Sequence, residues 1–209
     1  MITVTESQRD AQWLQARVGM LTASRARDML AVRKDGKPSE ARSGYALELV
    51  TERLTGRATD RFTTAAMQWG TEQEYSARNT YANVRRVHVD EVGFVAHDTL
   101  AAGCSPDGLI DWDGLIEIKC PWSSAVHVET WLHGMPSEHM PQVQFQLWIT
   151  GRDWCDFVSY DPRMPETLRL YVERIAKDAE FIERIDREAR TFLAEVDAMT
   201  VSLQKRAAQ

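Results

Sequence analysis

Cysteine is scarce in this sequence. The three present, Cys104, Cys120 and Cys155, are widely separated and odd in number, which argues against a disulfide framework and fits a reducing compartment. No CxxC pair occurs, so a structural zinc or iron–sulfur site has little support, and all three thiols are expected to be buried and unreactive. Long apolar runs are lacking: none approaches the ~18 consecutive residues of a membrane span. The first ten residues are polar and carry no apolar leader segment, so a cytoplasmic protein is expected, with no membrane contact. Basic residues are not in excess either. Lys and Arg number 25 against 31 Asp and Glu, a formal net charge of −6. Alone, that balance speaks weakly against non-specific nucleic-acid binding. A sum says nothing of where charges sit, and carboxylates that hold metal push it negative. Repeats and low-complexity tracts are absent.

What is there suits one domain. A chain of 209 residues with 44% hydrophobic residues can bury a sizeable core without cross-links. N-terminal helices are expected over 1–84, a catalytic sheet core over 85–175 and a C-terminal helix over 176–203. Ser7 is the expected cap of a first helix ending near Ala16, and Thr22 or Ser24 that of a short one toward Leu30. Ser43 should cap a third helix with Leu47, Val50 and Leu54 on one face and Gly56 closing it. A fourth should run from Thr64 to Tyr81, with Gly70 able to interrupt it. Short apolar runs at 92–95, 101–104, 109–112 and 115–120 read as strands, with Asp113-Gly114 as a hairpin turn. A helix over 137–150, strands over 154–160 and 168–173, and a long amphipathic tail helix complete the order. Helices, then a small sheet with an inserted helix, then a helix, give an α/β (α+β) sandwich with helices flanking one sheet.

The chemistry concentrates in Ser105-Pro106-Asp107-Gly108 and Glu117-Ile118-Lys119. Glu117 and Lys119 lie two apart in an apolar strand, so their side chains leave the same face. Pairing that strand with the one after Asp107 brings a second carboxylate alongside. Charges among Leu115, Ile116, Ile118 and Cys120 should be paired or bound to metal. Two carboxylates with a backbone carbonyl suit a hard divalent ion such as Mg²⁺, and a lysine beside them can orient an attacking water or stabilise phosphorane charge. The plain alternative is a structural Glu–Lys pair and a Pro-Asp-Gly turn; D…ExK by itself is short and common.

Longer motifs add to it. Gly103-Cys104-Ser105-Pro106-Asp107-Gly108-Leu109, Gly114-Leu115-Ile116-Glu117-Ile118-Lys119-Cys120-Pro121, Met140-Pro141-Gln142-Val143-Gln144 and Tyr160-Asp161-Pro162-Arg163-Met164 together resemble the phage lambda exonuclease and YqaJ-type viral recombinase family of PD-(D/E)xK nucleases. Arg17-Val18-Gly19, Thr22-Ala23-Ser24 and Trp69-Gly70-Thr71 leading to Glu74 match in order, so the resemblance spans roughly residues 13 to 165. It implies a restriction-endonuclease-like core and processive 5′→3′ degradation of linear double-stranded DNA to mononucleotides. It also implies 3′ single-stranded tails, a ring-shaped homotrimer and a single-strand annealing protein as partner. Residue by residue, it makes Asp107 and Glu117 metal ligands with the Ile118 carbonyl, Lys119 the water-activating group and Glu74 a supporting acid. Mg²⁺ is the implied ion, with Mn²⁺ able to substitute. Arg17, Ser24, Ser105 and Gln142 match positions that bind a 5′-terminal phosphate, a chemically competent cradle. His139 is a departure, standing where the lambda enzyme has a tyrosine near the active site. Arg33, Lys34 and Lys37 in a Gly- and Pro-containing loop, and Trp122 beyond the active strand, are candidate DNA contacts. A solvated loop is the equal alternative for the first three. The competing functions are a restriction- or repair-type endonuclease on the same triad and a silent DNA-binding module.

Overall fold

Side chains one turn from the expected ones open two of the helices. The computed structural model describes residues 2–3, 5, 7–60 and 62–209. Helix α1 (Ala11–Ala16) is capped by Asp10, whose carboxylate accepts from Trp13 N, while Ser7 hydrogen-bonds to Asp10 instead of to the helix. A 3-10 turn, Ala23–Arg25, runs into α2 (Ala26–Leu30), and neither Thr22 nor Ser24 supplies the expected cap. Helix α3 (Glu40–Thr55) starts at Ser39, which accepts from Arg42 N; Ser43 lies inside its first turn. Ser39 and Ser43 are both good caps in isolation, but Ser39 lets Arg42, Tyr45, Ala46, Leu49 and Val50 face inward. Leu47 and Leu54 consequently face solvent, against the expected stripe. Gly56, at φ 67°, closes α3 in the left-handed conformation that glycine tolerates best.

Helix α4 (Ala65–Arg85) is capped by Thr64 and passes through Gly70 unbroken. The middle of the chain supplies β3 (Val95–Ala96), β4 (Ala102–Cys104), β5 (Gly108–Ile110) and β6 (Gly114–Lys119). Ile110 pairs directly with Gly114, so the hairpin turn is residues 111–113 with Asp111 at φ 46°. Gly114 therefore stands in the strand and not in the turn; the Trp154 ring lies where its Cβ would be. Helix α5 (Ser124–His133) was not expected from the pattern, because it buries His127 and Thr130 and leaves Val126, Leu132 and part of Trp131 exposed. After it come a 3-10 turn, Ser137–His139, and α6 (Met140–Thr150), then β7 (Trp154–Tyr160), β8 (Leu170–Ala176) and α7 (Ala179–Ala207), capped by Asp178.

Among the described residues the strands form two four-stranded sheets. One has the order β1-β3-β4-β2, where β1 is Ile2–Thr3 and β2 is Leu21–Thr22, and the other the order β5-β6-β7-β8. In the second, β5 and β6 are antiparallel, β6 and β7 parallel, β7 and β8 antiparallel. Alternation along β6 splits its side chains. Ile116 and Ile118 join Ala77 and Tyr81 of α4 in one core cluster; Leu115 joins Phe145 and Leu147 of α6 and Phe192 of α7 in the other. Glu117 and Lys119 share the parity of Leu115, so they face α6. This mixed α/β architecture is the expected fold class. No described helix is long and apolar enough to cross a membrane.

Candidate active site

The end of β6 and the segment entering β5 build the site. Asp107 N donates to the Ile116 carbonyl at 3.2 Å, and Asp107 Oδ2 accepts from Ile118 N at 2.6 Å. Backbone N–H and C=O of one strand residue point to the same side, so the Ile118 carbonyl leaves β6 on the edge that Asp107 occupies. Glu117, 2% exposed, accepts at Oε1 from Lys119 Nζ (2.5 Å) and Gln142 Nε2 (2.6 Å) and at Oε2 from Gln146 Nε2 (2.6 Å). Lys119 Nζ also reaches Gln142 Oε1 at 3.3 Å.

Charge in this cluster is out of balance. Burial, then Glu117 and Glu74, push the Asp107 carboxyl well above the usual carboxylate range, despite Lys119 and the Ile118 N–H. Burial works against a charge on Lys119, but Glu117 and Asp107 outweigh it and hold its ammonium more firmly protonated than usual. Two carboxylates and a carbonyl, with one ammonium hydrogen-bonded to Glu117, form a hard oxygen donor set short of positive charge. That set fits a divalent cation. Among the described residues no three His, Cys, Asp or Glu side chains are grouped as a metal site; the third oxygen here would be backbone.

Glu74 and Arg78 sit one turn apart on α4. Glu74 takes ion pairs from Arg9 and from Arg78 Nη2 (2.7 Å), while Arg78 Nε donates to the Asp107 carbonyl at 2.8 Å. A cleft of about 280 Å³ runs past Arg9, Glu74, Arg78 and Asp107. Arg78 was not singled out from the sequence; its spacing of four from Glu74 was the available signal.

The proposed phosphate residues come together only in part. Ser105 Oγ accepts from Trp13 Nε1 at 2.8 Å and Arg17 Nη1 at 3.3 Å, and the Arg17 guanidinium lies 4.3 Å from the Trp13 ring centroid. Trp13 thus anchors this group. Strand β2 runs parallel to β4 with Thr22 opposite Gly103, so the turn bearing exposed Ser24 leaves at the end where Ser105 follows β4. Gln142 is drawn to Glu117 and Lys119. Arg17 also borders a cleft of about 540 Å³ lined by α1, α3 and the approach to α4.

The outlying candidates differ. His139 stacks on Phe157, with ring centroids 5.4 Å apart, and burial and Lys119 lower its pKa. Arg33, Lys34 and Lys37 form an exposed loop in which Asp35 sits 3.5 Å from Arg33 and 4.0 Å from Lys37. Trp122 is 56% exposed and meets Trp69 edge-on. Cys104 and Cys155 are buried, with burial raising both pKa values; burial, Asp107 and Glu74 push Cys120 up to about 12. His127 is buried between Ser159 Oγ and the Leu168 carbonyl.

Asp161 of the Tyr160-Asp161-Pro162-Arg163-Met164 motif is fully buried. Burial raises its pKa, but Arg163 and Ser124 win and bring it down to about 2. A carboxylate depressed in the fold contributes stability above its unfolded pKa near 4 and loses it as pH falls toward 2. Wild type is therefore expected to exceed Asp161→Asn in melting temperature by a constant margin from pH 5 to 8. The margin should shrink below pH 4 in paired thermal melts.

The mixed α/β fold is one shared with solved exonuclease structures. The chain belongs to the YqaJ-like viral recombinase domain family, whose model matches residues 12–153. It is similar to the alkaline exonuclease LHK-Exo from Laribacter hongkongensis, at 42% identity over 95% of this chain and 98% of that one, with a TM-score of 0.87. Against LHK-Exo in complex with dAMP the identity and coverage are the same, 42%, 95% and 98%, and the TM-score is 0.88. A phage-related exonuclease from Haemophilus somnus 129PT shares the fold at 16% identity, covering 88% of this chain and 96% of that one with a TM-score of 0.72. None of the curated proteins matches the chain.

Proposed function

We propose that the chain is a Mg²⁺-dependent 5′→3′ exonuclease. It degrades linear double-stranded DNA to mononucleotides and leaves 3′ single-stranded tails for annealing recombination. The observation that carries this reading is the convergence of Asp107, Glu117 and Lys119 on one edge of β6, in a chain 42% identical to an alkaline exonuclease.

Asp107 and Glu117 with the Ile118 carbonyl would hold the ion, Mg²⁺ or Mn²⁺ in its place. When bound, it stabilises charge on the scissile phosphate and acidifies a water. Lys119, an ammonium held by Glu117, orients the water and donates to charge developing on phosphorus. Gln146 holds Glu117 from the far side, and Arg78 holds the backbone of Asp107 while neutralising Glu74. Arg17 and Ser105, joined by Ser24, receive the 5′-phosphate, and Trp13 fixes Ser105. A trimeric ring would collect basic groups in a central channel and let an acidic chain retain DNA. A single-strand annealing protein then receives the exposed strand, in the cytoplasm.

The deciding experiment supplies linear duplex with a 5′-phosphate or a 5′-hydroxyl, in Mg²⁺ or EDTA. Mononucleotide release only in Mg²⁺, faster from the 5′-phosphate end, is expected. Arg17→Ala should erase that end preference, lowering kcat/KM on the phosphorylated substrate by about 10- to 100-fold, as for loss of a charge-assisted hydrogen-bond donor. Cutting of circular duplex points to an endonuclease instead, and binding without cutting to a silent module.

A further inference from the structure

We propose that Trp122 is a stacking platform for one nucleobase of the DNA, a role that rests on the nuclease reading above. The observations concern how the chain just past Lys119 is held. Arg163 forks onto buried Asp161, with Nε donating to Oδ1 at 2.8 Å and Nη2 to Oδ2 at 2.9 Å. The same guanidinium donates from Nη1 to the Trp122 carbonyl at 3.0 Å and from Nη2 to the Pro121 carbonyl at 3.2 Å. Its carbon lies 4.6 Å from the Trp69 ring centroid. Trp69 in turn meets the Trp122 ring edge-on, at 6.0 Å between centroids and 89° between planes.

A buried carboxylate, a forked arginine and a second tryptophan thus fix two residues of surface chain and one indole. The fixed indole remains 56% exposed. Leaving so much of an indole in water forgoes burial energy, and the fold alone has no use for it. A rigid, half-bare aromatic face suits recognition, because it is ordered before any ligand arrives. The motif containing Asp161 and Arg163, which the catalytic edge does not use, acquires a task here.

The occupant follows from position. Trp122 stands three residues after Lys119, within about 10 Å along extended chain. Nucleotides of a strand follow each other at ~3.4 Å along a duplex. A strand whose phosphate sits at Glu117 and Lys119 therefore carries bases past this indole within a few steps. Every base has a π-face, so the platform serves all sequences alike.

The test uses duplexes with a single abasic site at successive positions from the 5′ end, cut by wild type, Trp122→Ala and Trp122→Phe. On intact DNA, Trp122→Ala should raise KM about tenfold, within the range for one base–aromatic stack, and change kcat less than about twofold. Trp122→Phe should recover most of the loss. At one position the abasic site should raise the wild-type KM by the same factor and leave Trp122→Ala unmoved, because two deletions of one contact do not add. Unchanged melting temperatures of both variants show that the fold is intact. An unaltered KM, or abasic effects equal in wild type and Trp122→Ala at every position, overturns the platform while leaving the exonuclease in place. If wild type cuts nothing in Mg²⁺, the nuclease reading falls and takes the platform with it.

Discussion

Lys119→Ala is expected to slow mononucleotide release from linear duplex by about 10²- to 10³-fold, the cost of removing one preorganised donor to developing charge. The reason lies in what surrounds Lys119. Its Nζ is 2.5 Å from Glu117 Oε1, and Glu117 and Asp107 together hold it charged. Gln142 and Gln146 should remain on Glu117 in the variant, so the carboxylate keeps its place and the proposed metal ligands stay aligned. The loss should therefore fall on kcat, with KM for DNA little changed. A second effect has the opposite dependence on metal. Without Lys119, the carboxylates of Glu117 and Asp107 lose the ammonium that offsets their charge, which destabilises the metal-free protein by roughly 1–3 kcal/mol. Added divalent cation should raise the melting temperature of Lys119→Ala more than that of wild type. A variant that cleaves at the wild-type rate would remove Lys119 from the mechanism.

Gly103→Val is expected to lower the melting temperature by about 6–12 °C. Gly103 sits in β4, opposite Ala96 of β3 on one side and Thr22 of β2 on the other. A Cβ there would lie 2.2 Å from Phe94 Cζ and 2.6 Å from the Val95 carbonyl oxygen. The ring can turn, but the carbonyl belongs to the paired strand and cannot retreat without breaking the ladder. Overpacking of this kind costs about 3 kcal/mol, and a chain of this size loses roughly 2–4 °C per kcal/mol. Ser105 and Asp107 follow β4 directly, so activity measured well below the melting transition should fall as well. Thermal melts and initial rates on the same preparation check both. A melting temperature within 2 °C of wild type, well short of the shift estimated above, would show that β3 and β4 separate more easily than their pairing suggests.

Local signals compete at the helix ends and at the hairpin. Three serines and an aspartate were all competent caps. Asp10 and Ser39 supply the caps that Ser7 and Ser43 do not; α1 buries no side chain, and α3 begins a turn earlier than a cap at Ser43 would allow. Asp113-Gly114 is a good turn by composition, yet Gly114 is needed in β6, where the Trp154 ring leaves no room for a side chain. Helix α5 escaped notice because its buried residues are His127 and Thr130. Periodicity finds apolar faces and is blind to a polar one satisfied by Ser159 and Leu168.

The sequence by itself determined the chemistry available: a carboxylate and a lysine on one face of a strand, because strand side chains alternate, and a second carboxylate just before the strand paired with it. It also determined the family, through ordered motifs that span most of the chain. Only the tertiary structure decided which distant groups serve that edge. Gln146 on Glu117, Arg78 on the Asp107 backbone, Trp13 on Ser105 and Arg163 beneath Trp122 lie 29, 29, 92 and 41 residues from their partners. Such contacts depend on how sheets and helices pack. Packing is set by the whole core at once, and no local pattern encodes it.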